Sequence, residues 1–195
     1  MTDLTPPTID PAALDAATSR FAAAAQPDVS YAVIDSPIGA LVAAATPSGL
    51  VRLAYEDFNG GLDAVLENLA GRLSPRILEQ PAKLDTVRRE LDEYFDSKRT
   101  AFDVPIDWTL YSEFGRRVLQ ATAAIPYGHT ATYGDVAAAA GNAKASRAAG
   151  RALGANAIPI VVPCHRIIGT SGKLTGYTGG MHRKEALLRL EGITF

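Results

Sequence analysis

An apolar, β-branched run at residues 158–162 ends in proline, and the single cysteine of the chain follows directly. Because proline lacks a backbone N–H, Pro163 cannot continue a sheet ladder, so the run predicts a buried strand that ends there. Cys164 then lies outside the strand, beside His165 and Arg166. A lone free cysteine is often only a small buried hydrophobe. Titratable and cationic neighbours instead favour a reactive thiol.

The composition is that of an ordinary globular protein. The chain has 195 residues, 47% of them hydrophobic and 21% charged, which is enough for one large or two small domains without disulfides or a structural metal. One cysteine excludes an internal disulfide and any zinc site built from several cysteines. All three histidines lie in the C-terminal half. We therefore expect no bound metal.

The N-terminal segment is not expected to be a secretory signal. Residues 1–15 are acidic and rich in proline, without the cationic start and apolar stretch of a secretory signal. No segment approaches the roughly 20 consecutive apolar residues of a membrane span. A cytoplasmic protein is expected. Residues 1–29 are interpreted as an extension of unknown role, with a composition compatible with disorder.

The two halves of the chain differ in charge. Residues 1–110 hold 9 Lys and Arg against 17 Asp and Glu, a formal charge of −8. Residues 111–195 hold 10 Lys and Arg against four acids, a formal charge of +6. A locally basic region can bind nucleic acid whatever the net charge of the chain, because phosphate binding depends on local cations and counterion release. Charge alone leaves the alternative that these residues only solvate helices.

The N-terminal half reads as an α/β unit. Apolar runs at residues 31–34, 40–45 and 50–55 are separated by short turn sequences, which predicts antiparallel hairpins. Helical spacing follows at residues 62–73 and 84–95, and a further strand is predicted at 102–106. No catalytic constellation is visible in this half.

The C-terminal half is mostly helical. Phe114, Val118, Ala121 and Ile125 form an apolar stripe at helical spacing. Thr132 is a candidate N-cap for a short helix through residue 140, and another helix is predicted at 143–154. Two short helices joined by a tight turn are a helix-turn-helix candidate, although many such hairpins bind nothing.

The pentapeptide from Pro163 to Ile167 resembles the active-site signature of the O6-alkylguanine-DNA alkyltransferase family. The similarity is strongest over about residues 112–192. A weaker similarity in the N-terminal half begins near Tyr31. The matching motifs occur in order, so the set is far more specific than the pentapeptide alone. They are Ile125-Pro126-Tyr127-Gly128, Thr132-Tyr133-Gly134-Asp135, Ala145-Ser146-Arg147-Ala148, Asn156, the loop from Gly172 to Gly180, and Lys184-Glu185-Ala186-Leu187-Leu188.

The resemblance implies an α/β fold of two domains. Residues 30–108 would form a small ribonuclease-H-like supporting domain. Residues 109–195 would form a mostly helical, winged-helix-like domain that contains the helix-turn-helix, binds DNA and accepts the alkyl group.

The resemblance also implies a reaction. An alkyl group moves irreversibly from O6-alkylguanine in DNA to Cys164, once per protein molecule and without a cofactor. O4-alkylthymine is a further candidate substrate. His165 would take the thiol proton through a water, and Glu185 would orient the imidazole. Tyr133 would donate a hydrogen bond to the departing guanine, and Asn156 would brace the active-site turn.

Partner and pocket follow from the same family pattern. A monomer would bind double-stranded DNA through the minor groove without sequence specificity, and Arg147 would enter the base stack as the lesion is extruded. A phosphate contact is the alternative role of Arg147. Small residues on the helix predicted at 143–154 would let it approach the minor groove closely, and flanking cations would contact phosphates. The helix residues are Lys144, Ala145, Ser146, Ala148, Ala149, Arg151 and Ala152; the pocket residues are Val162, Pro163, Tyr177, Thr178 and Gly179.

One position departs from the family pattern. Ala157 stands where many relatives have proline, so we expect a less rigid turn after Asn156.

Two other functions remain open at this point. A damage-binding protein would sense lesions without transfer, but relatives of that kind lack the acceptor cysteine that is present here. A cysteine hydrolase would use Cys164, His165 and Glu185 with turnover, and it would leave the basic half unexplained.

Overall fold

The computed structural model describes residues 10–24 and 26–194. Its N-terminal half is built on a four-stranded mixed sheet in the order β3-β2-β1-β4. The elements of this half are α1 (Pro11–Ala24), β1 (Val29–Ile34), β2 (Leu41–Thr46), β3 (Gly49–Tyr55), α2 (Gly61–Arg72), β4 (Ile77–Glu79), a 3₁₀ turn (Pro81–Leu84) and α3 (Asp85–Phe95).

The first three predicted strands and both predicted helices of this half are confirmed. β1 pairs with β2 and β2 with β3, both antiparallel, as the short turn sequences indicated. β4 pairs in parallel with β1 and was not predicted, because three residues are too few to show a period. α1 occupies much of the segment interpreted as an extension compatible with disorder, while residues 1–9 lie outside the described part of the chain.

The strand predicted at residues 102–106 is wrong. The structure has only an isolated parallel bridge between Leu50 and Ile106. Leu50 donates to Pro105 O at 2.8 Å and accepts from Asp107 N at 2.9 Å. Since Pro105 has no N–H to donate, a continuous ladder cannot form there. Gly49 permits this close crossing, because a Cβ at that position would lie 2.4 Å from Pro105 O.

The C-terminal half is mainly helical, as predicted. α5 begins with a capping box between Thr132 and Asp135, and α6 begins at Ser146 rather than at residue 143. The elements are α4 (Glu113–Ala123), β5 (Ala131–Thr132), α5 (Tyr133–Ala139), α6 (Ser146–Gly154), a 3₁₀ turn (Cys164–Arg166), β6 (Ile167–Ile168) and α7 (Met181–Leu190).

The strand predicted at residues 158–162 is also wrong. This segment is a buried series of turns in which Val161 N donates to Pro159 O and Val162 N donates to Ile158 O. Ile160 has a φ of 72°, which is outside the extended region. Two prolines, Pro159 and Pro163, remove the donors that a ladder needs. The apolar character of the run reflects burial, and periodicity cannot distinguish a buried strand from a buried turn.

One hydrophobic core joins the two halves. It runs from the inner face of the sheet through α3 and α4 to Cys164 and α7. A second, smaller cluster lies between the sheet and α2. Among the residues that the structure describes, no helix is long and apolar enough to cross a membrane. The shared core places residues of the N-terminal half next to Cys164.

Candidate active site

Cys164 begins the 3₁₀ turn and is 6% exposed. Its backbone N–H donates to Val162 O at 2.8 Å. The side chain of Asn156 donates to Val162 O at 2.9 Å and to the Cys164 Sγ at 3.1 Å, and its Oδ1 accepts from Ile158 N at 3.0 Å. Asn156 therefore holds the turn and contacts the sulfur, in the place where the resemblance put it.

Burial raises the pKa of the Cys164 thiol to about 11, and the Asn156 hydrogen bond and the positive charge of Lys184 only partly oppose this effect. The thiol is therefore protonated at neutral pH. Because the thiolate is the nucleophilic form, the site needs a base that removes the proton.

His165 is fully buried, and its Nε2 lies 2.8 Å from Glu191 Oε1. Its Nδ1 is buried and has no hydrogen-bond partner among the described residues. When Nε2–H donates to the carboxylate, Nδ1 carries the free lone pair and can accept a proton. Burial lowers the pKa of His165 from its usual 6.5, although the hydrogen bond that it donates to Glu191 opposes the shift, so the imidazole is neutral at pH 7.

The acid on His165 is Glu191, and the prediction of Glu185 is wrong. The Glu185 side chain is 42% exposed and lies 3.7 Å from Arg189. The buried positions Lys184, Leu187 and Leu188 lead to Glu191 at the i, i+3, i+4, i+7 spacing of one helical face, and Glu185 falls off that face. This spacing is the sequence signal that could have identified Glu191.

Glu191 is held by four donors besides its contact with His165. Arg166 donates to both carboxylate oxygens, with Nε and Nη2 each at 2.9 Å. Tyr94 Oη donates at 2.7 Å, and the Gly128 N–H donates at 3.2 Å. Burial alone would raise the pKa of Glu191, but hydrogen bonds from His165, Arg166 and Tyr94 lower it to about 2. A fixed, ionised carboxylate thus faces the imidazole. Sequence reasoning gave no role to Tyr94, which comes from α3.

A cleft of about 420 Å³ opens onto Cys164. Tyr133 lines it, and the Tyr133 hydroxyl lies 2.8 Å from Thr175 Oγ1. Tyr177 lines it as well, and its hydroxyl lies 2.9 Å from that of Tyr55. The full lining is Phe58, Tyr133, Gly150, Leu153, Gly154, Cys164, Ile167, Gly176, Tyr177 and Thr178.

Three of the five predicted pocket residues are not part of this lining. Val162 and Pro163 are buried under the active-site turn. Gly179 packs against the ring of Tyr55, where a Cβ would lie 2.3 Å from a ring carbon, so only glycine fits. These residues shape the backbone around Cys164 and do not form the cleft surface.

The turn at Ala157 is braced on both of its peptide groups. Its N–H donates to Tyr111 Oη at 2.9 Å, and its carbonyl accepts from Leu53 N at 2.8 Å. Proline at this position could not make the first of these bonds. Tyr111 thus provides a contact that is specific to a chain with a free N–H at residue 157.

Lys184 is the second buried cation of the site and was missed by sequence reasoning. Its Nζ donates to Ile167 O and Thr175 O. Burial lowers the pKa of Lys184 to about 8, despite the opposing effect of Cys164. Its charge lies close enough to lower the pKa of the thiol.

The exposed face of α6 and the residues before it carry three cations. Lys144, Arg147 and Arg151 are exposed, while Ala145, Ser146, Ala148 and Ala152 are partly buried. Ala149 is fully buried on the inner face of α6, so its assignment to the thin outer surface is wrong. The arrangement is a thin outer face flanked by exposed positive side chains.

Both halves of the chain match models of the same protein family. Residues 29–108 match the family model described as the ribonuclease-like domain of 6-O-methylguanine DNA methyltransferase. Residues 113–193 match the model of its DNA binding domain. A ribonuclease-like N-terminal part with a mixed sheet and a helical C-terminal part are thus confirmed, as the sequence predicted.

Individual relatives span most of the chain. The methylated-DNA–protein-cysteine methyltransferase of Mycobacterium tuberculosis is 42% identical over 163 residues, covering 84% of this chain and 92% of the relative. The constitutive enzyme of that name from Bacillus subtilis is 36% identical and covers 85% and 96%. The crystal structure of the M. tuberculosis O6-methylguanine methyltransferase aligns with a TM-score of 0.72 at 41% identity, covering 84% and 92%. A structure of the same protein in complex with DNA aligns with a TM-score of 0.72, covering 83% and 92%. The chain belongs to the 6-O-methylguanine DNA methyltransferase family.

Proposed function

We propose that this protein repairs DNA by moving the methyl group of O6-methylguanine onto its own Cys164, irreversibly and once per molecule. The observation that carries the proposal is a buried thiol at a cleft, next to a neutral imidazole that a fixed carboxylate orients. Larger O6-alkyl groups and O4-alkylthymine are further substrates to test. No cofactor is needed, because the protein supplies both the nucleophile and the base.

In the proposed step, His165 Nδ1 takes the thiol proton, directly or through one water. Its Nε2–H remains hydrogen-bonded to Glu191. The sulfur then attacks the methyl carbon. An S–C bond forms, the C–O6 bond breaks, and guanine leaves with the electron pair. Tyr133, on the cleft surface, assists by donating a hydrogen bond to the leaving base, which finally gains one proton. The net exchange is a methyl group for a hydrogen.

The proposed DNA contact uses the outer face of α6. Small side chains there would allow close approach to a minor groove without reading sequence, and the exposed Lys144 and Arg151 would contact phosphates. Arg147 is assigned to the space that the extruded nucleotide leaves, because the alkyl carbon cannot meet a protein thiol inside the duplex. The protein acts as a monomer in this proposal.

Intact-mass spectrometry after incubation with duplex DNA that contains one O6-methylguanine tests the proposal. One methyl in place of the thiol hydrogen, a net gain of about 14 Da, is expected per molecule and should map to Cys164. Cys164→Ala should bind the DNA and gain no mass. Release of product beyond one equivalent would instead support a hydrolase, and tight binding of the lesion without any adduct would support a damage sensor.

A further inference from the structure

One wall of the active-site cleft comes from the N-terminal half. Phe58 follows β3 and lines the same cleft as Cys164, Tyr133 and Tyr177. Its side chain is 53% exposed. Among the described residues the other exposed large apolar side chains are Leu14 and Val33, and neither of them lines this cleft. An exposed aromatic ring at the mouth of a reactive cleft is well placed to contact a ligand.

Several contacts fix the turn that presents Phe58. Asp57 accepts from Arg183 Nη2 with both oxygens, at 2.8 and 2.7 Å. Asn59 donates to Tyr55 O through its backbone N–H at 3.0 Å and through Nδ2 at 2.8 Å. Arg52 donates to Asn59 Oδ1 at 2.9 Å. The backbone on both sides of Phe58 is therefore anchored although its ring is exposed.

The same turn is coupled to Tyr177, another residue of the cleft lining. Arg183 lies in α7, and its guanidinium stacks 4.4 Å from the ring centroid of Tyr55. The Tyr55 hydroxyl in turn contacts the hydroxyl of Tyr177. Phe58 and the Tyr177 loop are thus held in one arrangement by contacts between the two halves of the chain.

We infer that Phe58 contacts the distal part of O6-alkyl groups larger than methyl and makes the site favour aromatic ones such as benzyl. The inference rests on the proposed function. The transferred carbon must reach the Cys164 sulfur, so every atom beyond it has to occupy the remaining part of the cleft. A methyl group has no such atoms. A benzyl group carries an aromatic ring in that part of the cleft, and two aromatic rings attract each other beyond simple apolar burial.

Single-turnover rates of Phe58→Ala on two duplexes, one with O6-methylguanine and one with O6-benzylguanine, test the inference. The ratio of the benzyl rate to the methyl rate should fall about 3- to 10-fold, which corresponds to the loss of one aromatic pair. Phe58→Tyr keeps the ring and should retain the benzyl rate. Val33→Ala removes an exposed apolar group away from the cleft and should change neither rate.

Equal losses on both substrates, or a benzyl rate that is unchanged or higher in Phe58→Ala, would overturn the inference. Thermal melting of each variant shows whether an equal loss comes from the fold. If the unsubstituted protein transfers neither group, the proposed function itself fails. If the unsubstituted protein transfers both groups and Phe58→Ala has the same benzyl-to-methyl rate ratio, only the inference about Phe58 fails.

Discussion

The buried cluster around Cys164 and the outer face of α6 hold their charged side chains in opposite ways. In the cluster, His165, Arg166 and Glu191 are buried and bonded to one another. On α6, Arg147 and Arg151 are exposed and their side chains form no hydrogen bond or ion pair with other described residues. Chemistry needs reacting groups that are oriented before the substrate arrives. Binding to DNA of any sequence needs cations that can adjust to phosphates.

The strongest test of this contrast replaces Glu191 and Glu185 with glutamine, each in a separate variant. Glu191→Gln should lower the single-turnover rate by about 100-fold, because an amide cannot accept all the donors that Glu191 serves and cannot stabilise a protonated His165. Glu185→Gln is the matched control and should stay within about twofold. A quenched-flow measurement of transfer from O6-methylguanine duplex provides both rates. A larger loss in Glu185→Gln would restore the role that sequence reasoning gave it.

Arg147→Ala should separate DNA handling from chemistry. We expect transfer from duplex DNA to slow by about 10- to 100-fold. Without Arg147 no side chain fills the space that the extruded base leaves in the stack, so the cost of extrusion, a few kcal/mol, is less well compensated. Reaction with free O6-benzylguanine should be unchanged, because no extrusion is needed. Both rates can be read from the protein adduct by mass.

Arg151→Ala serves as the comparison for Arg147. It should weaken binding to all sequences alike and reduce the slope of log K against log salt by about 1, as expected for a phosphate contact. If Arg147→Ala gives the same signature with no effect on extrusion, Arg147 is only a phosphate contact.

Acid titration tests the electrostatics of the cluster by itself. The pKa of Glu191 is lowered from 4.5 to about 2, so its stabilising effect is complete above about pH 4.5 and is lost as the pH falls towards 2. The loss should be on the order of 1–3 kcal/mol in the free energy of unfolding, measured by urea denaturation at pH 7, 4 and 3. Glu185→Gln should keep this acid dependence. Glu191→Gln should reduce it, while other carboxyl groups whose pKa is lowered, such as Asp57 and Asp107, keep their share. An equal slope in both variants would locate the dependence elsewhere.

The smallest expected effect concerns the brace on Ala157. Tyr111→Phe leaves the Ala157 N–H without its partner, which should cost about 1 kcal/mol of stability and slow transfer about threefold. Adding Ala157→Pro to Tyr111→Phe removes the unpaired donor and should recover the rate. Melting temperatures and single-turnover rates of the single and double variants check this, and a double variant slower than Tyr111→Phe would contradict it.

Local sequence signals predicted most elements because local rules decide them. The capping box of α5 and the antiparallel hairpins follow from residues close to one another in the chain. The turns at residues 158–162 were misread as a strand, since an apolar run reports burial and does not report backbone shape. The acid on His165 was misassigned because motif order was followed instead of the helical spacing that leads to Glu191.

By itself, the sequence determined the family, the α/β architecture, and a cysteine beside a histidine and near an asparagine, because these features are encoded in short contiguous patterns. Only the tertiary structure decided which acid meets His165, that Tyr94 and Arg166 hold that acid, and that Phe58 stands at the cleft. Each of these contacts joins residues at least 25 positions apart. Such pairs are set by how helices and sheet pack around one core, and no local period in the sequence records them.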